Sequence, residues 1–172
     1  MYKENTSNID RIRNELIKED WDVFLTLNFR KNLPFTTGLE MIDKWDGLVS
    51  KQMVGRRYNL SKNFYRRMSF VGGGGYNGKE QLHFHLLVKL PPEWRTETNL
   101  KEFRRLVEFY FPRVGGKEVD FQTIGKTEDD RRKVVVYVTE PRHFPVSNES
   151  HRDNDSHRRS GVVVSRNFGM KF

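Results

Sequence analysis

Two strand-like runs meet at the pair Asn77-Gly78, and a chain built that way cannot fold into a purely parallel sheet. Both positions of an Asn-Gly turn tolerate positive φ, which the tight connections of β-hairpins require. Residues 64–71 alternate like a strand, residues 72–75 are four consecutive glycines, and residues 81–90 (QLHFHLLVKL) form the returning strand, stopped by Pro91-Pro92. The fold class that follows is α+β: a mainly antiparallel sheet with helices packed on it.

The remaining pattern fits that frame. An apolar stripe of Ile9, Ile12, Leu16 and Ile17 predicts a first helix, with Ser7 or Asn8 as candidate cap. Residues 21–29 read as a strand with Val23, Leu25 and Leu27 on one side and Phe24 and Thr26 on the other. A second helix starts at Thr36 or Thr37 and carries Leu39, Ile42, Trp45, Val49 and Met53, although Gly47 and Gly55 weaken it. Thr98 or Asn99 caps a third helix, and residues 118–124 form another strand. Acidic residues 128–130 suit the first turn of a fourth helix, but its interior, residues 134–138, is so β-branched that a strand competes. Residues 147–160 read as a mobile loop, and residues 161–165 as a short last strand. Residues 1–172 form one domain on this reading.

Composition narrows the class of partner. Lys and Arg number 31 against 23 Asp and Glu, a net charge of +8, while 13 Phe, 6 Tyr and 3 Trp suffice for a core. The absence of cysteine excludes disulfides, thiolate nucleophiles and Cys-based zinc sites. No apolar run approaches the roughly 20 residues of a membrane span, and the first twenty residues are too charged for a signal peptide. The expectation is a soluble intracellular domain, without a membrane partner, whose basic surface meets a polyanion.

Three features could carry chemistry. On a strand, His83 and His85 project side by side while Phe84 packs into the opposite face, a two-nitrogen clamp for a divalent cation. Two such imidazoles on an otherwise apolar strand are costly to bury without a partner. Tyr137 ends a valine-rich segment and is followed at once by Thr139, Glu140 and Arg142; a phenol can attack phosphorus if a metal polarises the phosphodiester. Residues 51–67 hold Lys51, Arg56, Arg57, Lys62, Arg66 and Arg67 with no acid, interleaved with Tyr58, Phe64 and Tyr65, a pattern suited to phosphates and unpaired bases. Arg131 and Arg132 are further candidates for the DNA backbone.

Three segments together resemble the HUH endonuclease superfamily, specifically its Rep-type rolling-circle replication initiators with one catalytic tyrosine. Residues 24–28 (FLTLN) are similar to the first motif, residues 82–87 (LHFHLL) to the second, and residues 136–141 (VYVTEP) to the third; residues 164–168 also resemble the end of phage and plasmid members. The resemblance covers residues 21–168. It implies a five-stranded antiparallel sheet and a Mg²⁺- or Mn²⁺-dependent nick in single-stranded or origin-hairpin DNA. Tyr137 would become joined to the 5′ phosphate, releasing a 3′ hydroxyl, to start and end rolling-circle replication of a phage, plasmid or small DNA virus. A helicase would act in trans, since Gly72–Gly75 lack the Lys-Ser/Thr of a P-loop. The compartment implied is the cytoplasm of a bacterial or archaeal host, or the nucleus for a eukaryotic virus.

Two positions depart from the family pattern. The carboxylate usual on the strand before the His pair is replaced by glycine, and the Lys one turn after the tyrosine is Glu140. Glu140 shares a helical face with Tyr137 at three-residue spacing and is the candidate third metal ligand beside His83 and His85, ahead of Glu80 or water. Two rivals stand beside this reading. One is a non-catalytic single-stranded nucleic-acid-binding module; the other is a hydrolytic metalloenzyme completed by His143, His151 or His157.

Overall fold

The computed structural model describes residues 3–77, 81–140 and 161–165. Helix α1 (Lys3–Lys18) leads into strand β1 (Val23–Lys31), helix α2 (Phe35–Val54), a 3₁₀ turn over Ser61–Arg66, and the hairpin of β2 (Ser69–Tyr76) and β3 (Gln81–Lys89). Helix α3 (Glu97–Tyr110), strand β4 (Glu118–Thr123) and helix α4 (Glu128–Val138) follow. The sheet runs β4-β1-β3-β2, antiparallel throughout, and the short β5 (Gly161–Val164) pairs with β2 along its outer side. The architecture is α+β, an antiparallel sheet with helices packed on it. No described helix is long and apolar enough to cross a membrane.

Strand alternation sorts the core into two layers. Val23, Leu25, Leu27 and Phe29 from β1 and Leu82, Phe84, Leu86 and Val88 from β3 pack with Ile42, Trp45 and Val49 of α2 and Phe103, Leu106 and Val107 of α3. On the opposite face, Phe24, Val71 and Leu87 meet Leu16 and Ile17 of α1 and Val135 and Val138 of α4. The apolar spacing of each helix therefore decides which face it covers. At the far end of β1 the buried Asp22 carboxylate accepts the Leu90 N–H at 2.8 Å and lies 3.2 Å from both Arg95 and Lys126.

Several expected boundaries move. Helix α1 begins at Lys3, so Ser7 and Asn8 lie inside it rather than capping it. The cap of α3 is Thr96, whose hydroxyl accepts the Asn99 N–H at 3.3 Å, in place of Thr98 or Asn99. Residues 64–66, expected to begin the strand, belong to a 3₁₀ turn over Ser61–Arg66, and the four glycines lie within β2 instead of after it. Steric fit explains two of the glycines: a Cβ on Gly72 would fall on the His85 carbonyl, and one on Gly74 on the Phe84 ring. The competition between helix and strand over residues 134–138 resolves as helix. Thr127 caps it by accepting the Asp130 N–H, and Val135 and Val138 reach the core while Val136 and Tyr137 stay exposed. The expected loop, residues 147–160, lies outside the described residues.

Candidate functional site

The β1–β3 register places Thr26 opposite His85 and Asn28 opposite His83, and β2 places Gly73 and Gly75 on the other side of the same two histidines. By alternation these side chains share the face of the sheet that α1 and α4 cover. His83 and His85 stand with ring centroids 4.9 Å apart. His85, only 4% exposed, is stacked on Phe24 at 5.7 Å and 11° between planes, and its Nδ1 lies 3.1 Å from Thr26 Oγ1. One ring face and one ring nitrogen of His85 are thus held by β1.

Helix α4 brings the tyrosine to this pair. The Tyr137 ring centroid is 4.9 Å from that of His85 and 5.9 Å from that of Phe24, edge-on to both. The residue is 40% exposed, so its ring is braced against the site while part of it faces solvent. The C-terminal end of α4 is fixed from α1. Arg13 Nε donates to Thr139 Oγ1 at 2.8 Å, and the Thr139 hydroxyl donates to the Val135 carbonyl at 2.7 Å. A cation at a helix C-terminus also opposes the helix dipole favourably. Further back on α4, Arg131 Nε donates to the Ile17 carbonyl at 3.1 Å.

The structure therefore brings His83, His85 and Tyr137 together. Helix α4 stops at Val138 with Thr139 as its C-cap, so Glu140 lies beyond the helix, its N–H donating to the Tyr137 carbonyl at 3.3 Å. Among the described residues no group of three or more His, Cys, Asp and Glu side chains could hold a metal ion. Glu80, His143, His151 and His157 lie outside the described residues. The donor set itself suits a divalent cation such as Mn²⁺ in part: two imidazoles from adjacent same-face positions, one oriented by a hydroxyl, with the hard oxygen ligands left to water and phosphate.

Most of the expected basic residues lie elsewhere. Arg56, Arg57, Lys62 and Arg66 are exposed on the segment between α2 and β2, and that segment packs with α2 on the opposite face of the sheet. Arg67, expected at the DNA backbone, is 4% exposed. It is held by Asp46 Oδ2 at 2.7 Å and Ser50 Oγ at 3.1 Å, with its guanidinium over the Tyr58 and Phe64 rings, each at 5.3 Å. Arg131 lies 3.6 Å from Asp20, and Arg132 pairs with Glu128 at 2.6 Å, so neither charge is unopposed.

Phe24 and Thr26 belong to the first motif but carry no contact role in the sequence, and Arg13 carries none at all. Alternation had set Phe24 and Thr26 on one face; what it lacked was the strand register that puts that face against the histidines. No family model, no curated protein and no solved structure matches the chain.

Proposed function

We propose that this protein is a metal-dependent endonuclease that nicks and rejoins single-stranded DNA through a 5′-phosphotyrosine on Tyr137, in the manner of the Rep-type HUH initiators that its motifs resemble. With β5 counted as the fifth strand, the sheet is consistent with the five-stranded HUH nuclease fold. The observation that carries the reading is the half-exposed Tyr137 ring against His85, 4.9 Å between centroids, with His83 alongside. Residues 52 and 54 apart in sequence, singled out as nucleophile and metal pair, lie side by side.

In this mechanism Tyr137 Oη attacks the scissile phosphorus, the O–P bond to the tyrosine forms, and the bond to the 3′ oxygen breaks. The phenolic proton leaves to solvent and the released 3′ oxygen is protonated. The energy of the broken phosphodiester stays in the phosphotyrosine, so attack by a 3′ hydroxyl reverses the step without a nucleotide cofactor. His83 and His85 would hold Mg²⁺ or Mn²⁺, which when bound supplies Lewis-acid polarisation of the phosphate. Thr26 and Phe24 orient His85, and Arg13 steadies the helix end that carries Tyr137.

The test is a denaturing gel after incubation with a pool of labelled single-stranded oligonucleotides and Mn²⁺. The expected result is a covalent protein–DNA adduct whose peptide maps to Tyr137 and which chelator prevents. Binding without any adduct across the pool would replace this reading with the non-catalytic module. An adduct at Tyr65 or Tyr110 would overturn the choice of nucleophile.

A further inference from the structure

A cavity of about 820 Å³ lies between the C-terminal half of α2, the turn that follows it, and the 3₁₀ turn over Pro112–Val114. It is on the α2 side of the sheet, away from His83, His85 and Tyr137. Lys44, Lys51, Arg56 and Arg113 line it together with Asp43, while the lining Asp46 is neutralised by Arg67. That leaves four cations against one acid.

The cavity differs in this from the exposed faces of α3 and α4. On α3, Lys101 pairs with Glu97, Arg104 with Glu108 and Arg105 with Glu102, and on α4 Arg132 pairs with Glu128. Those cations are thus matched by acids three or four residues away. Among the described residues, Lys44, Lys51, Arg56 and Arg113 make no ion pair with a carboxylate. One wall is also rigid, because Arg67 is locked to Asp46 and Ser50 and sandwiched by Tyr58 and Phe64. Gly47 in the middle of α2 costs about 1 kcal/mol of helix stability, and it stands where a Cβ would lie 3.1 Å from the Tyr58 hydroxyl. Glycine there lets Tyr58 lie against the helix and shapes the cavity.

We infer that this cavity is a second nucleic-acid site, which grips successive phosphates of a single strand. The charge favours an anionic ligand and opposes a cationic one. The volume lies in the range of about 300–1,000 Å³ that holds organic ligands, more than one phosphate ion fills. Exposed Arg57, Lys62, Arg66 and Tyr65, the last 60% exposed, extend the basic and aromatic character along the adjoining turn. A single strand can bend its backbone into such a concavity, whereas a duplex, stiff over about 150 base pairs, meets only the rim. The site goes beyond the proposed nicking and does not depend on it.

The experiment uses the full chain carrying Tyr137→Phe, in chelator, so that no nicking can occur. Fluorescence anisotropy with a labelled twelve-nucleotide oligo-dT measures affinity across a salt series. Lys51→Ala with Arg56→Ala should weaken binding at least about 10-fold. It should also flatten the slope of log K against log salt by about 1.4, at about 0.7 per phosphate contact on a single strand. The control pair Lys101→Ala with Arg104→Ala makes the same charge change and should leave binding unchanged. Equal losses from both pairs, or none from either, would overturn the site. Displacement of the strand by millimolar inorganic phosphate or dTMP would show a small-anion pocket instead, and equal or tighter duplex binding would refute the single-strand preference.

Discussion

Thr26 Oγ1 and His85 Nδ1 face each other at 3.1 Å across the β1–β3 ladder, with the His85 ring stacked on Phe24 two residues away on the same strand face. A threonine hydroxyl can either accept from Nδ1–H or donate to Nδ1, and a ligand bound at Nε2 requires the first arrangement. Either way a hydroxyl at position 26 fixes the ring plane, as outer partners of metal-binding histidines do. Thr26→Val keeps the shape and removes the bond. Mn²⁺ affinity, read by calorimetric titration, should fall about 10- to 100-fold with the thermal midpoint little changed, and Thr26→Ser should restore it. An unchanged titration would show that the hydroxyl does not position the ring.

Arg13 acts at one remove from the same site. Its Nε bond to Thr139 Oγ1, and the Thr139 bond to the Val135 carbonyl, tie the last turn of α4 to α1. Arg13→Ala should cost about 1 kcal/mol, the net value of one such hydrogen bond, and lower the rate of adduct formation. Single-strand affinity should stay as it was, because the variant leaves every proposed phosphate contact in place. A rate equal to the parent would show that the helix end needs no anchor.

The cap at the other end of α4 makes its stability depend on pH. The Thr127 hydroxyl donates to Asp130 Oδ2 at 2.6 Å and holds that carboxyl below its ordinary range. A carboxyl depressed in the folded state contributes stability above its unfolded pKa, about 3.9, and that contribution is lost as pH falls through the lowered value. Amide exchange in the first turn of α4 should therefore accelerate at low pH, corrected for the intrinsic rate, and Asp130→Asn should remove that acid-dependent step. A step of the same size in Asp130→Asn would assign it to another group.

Much of this arrangement was legible in the sequence because it is periodic. The alternation of residues 82–88 set His83 and His85 on one face and Phe84 on the other, and the structure keeps that division. The spacing of Ile42, Trp45, Val49 and Met53 marked the buried side of α2 for the same reason. What failed depends on contacts between distant residues. Glycine is a poor strand former, so residues 72–75 read as a connection, and only the His85 carbonyl and Phe84 ring on the neighbouring strand explain Gly72 and Gly74 as strand residues. Arg67 sat in a basic run and looked exposed. Its partner Asp46 is 21 residues away on α2, beyond any local pattern.

The glycine explanation has its own consequence. Gly74→Ala places a methyl group on the Phe84 ring, which is fully buried and edge-on to Phe29 at 5.8 Å. Overpacking of this kind costs typically about 1–3 kcal/mol. The double variant Gly74→Ala with Phe84→Leu should be less destabilised in urea unfolding than the sum of its single changes. Additive losses would mean that the ring is not what position 74 must avoid.

The Arg67–Asp46 pair tests whether the wall of the second cavity is as rigid as its contacts imply. Both side chains are almost wholly buried, 2% and 4% exposed, with Nη2 and Oδ2 at 2.7 Å. Ser50 donates to Asp46 Oδ1 at 2.9 Å and accepts from Arg67 Nε at 3.1 Å, so both ions have further partners. Tyr58 and Phe64 cover the guanidinium and add a cation–π attraction. Removing one partner strands the other charge in a dry site, and such breaks cost about 3–5 kcal/mol. Arg67→Ala should accordingly lower stability by that amount in urea unfolding. Removing both charges with similar volume, Arg67→Met with Asp46→Leu, should recover much of the loss, because desolvation of two ions is no longer required. The double variant should also loosen Tyr58 against Gly47 and weaken oligo-dT binding without changing Mn²⁺ affinity. If Arg67→Ala costs less than about 1 kcal/mol, water reaches Asp46 freely and the wall is not preorganised.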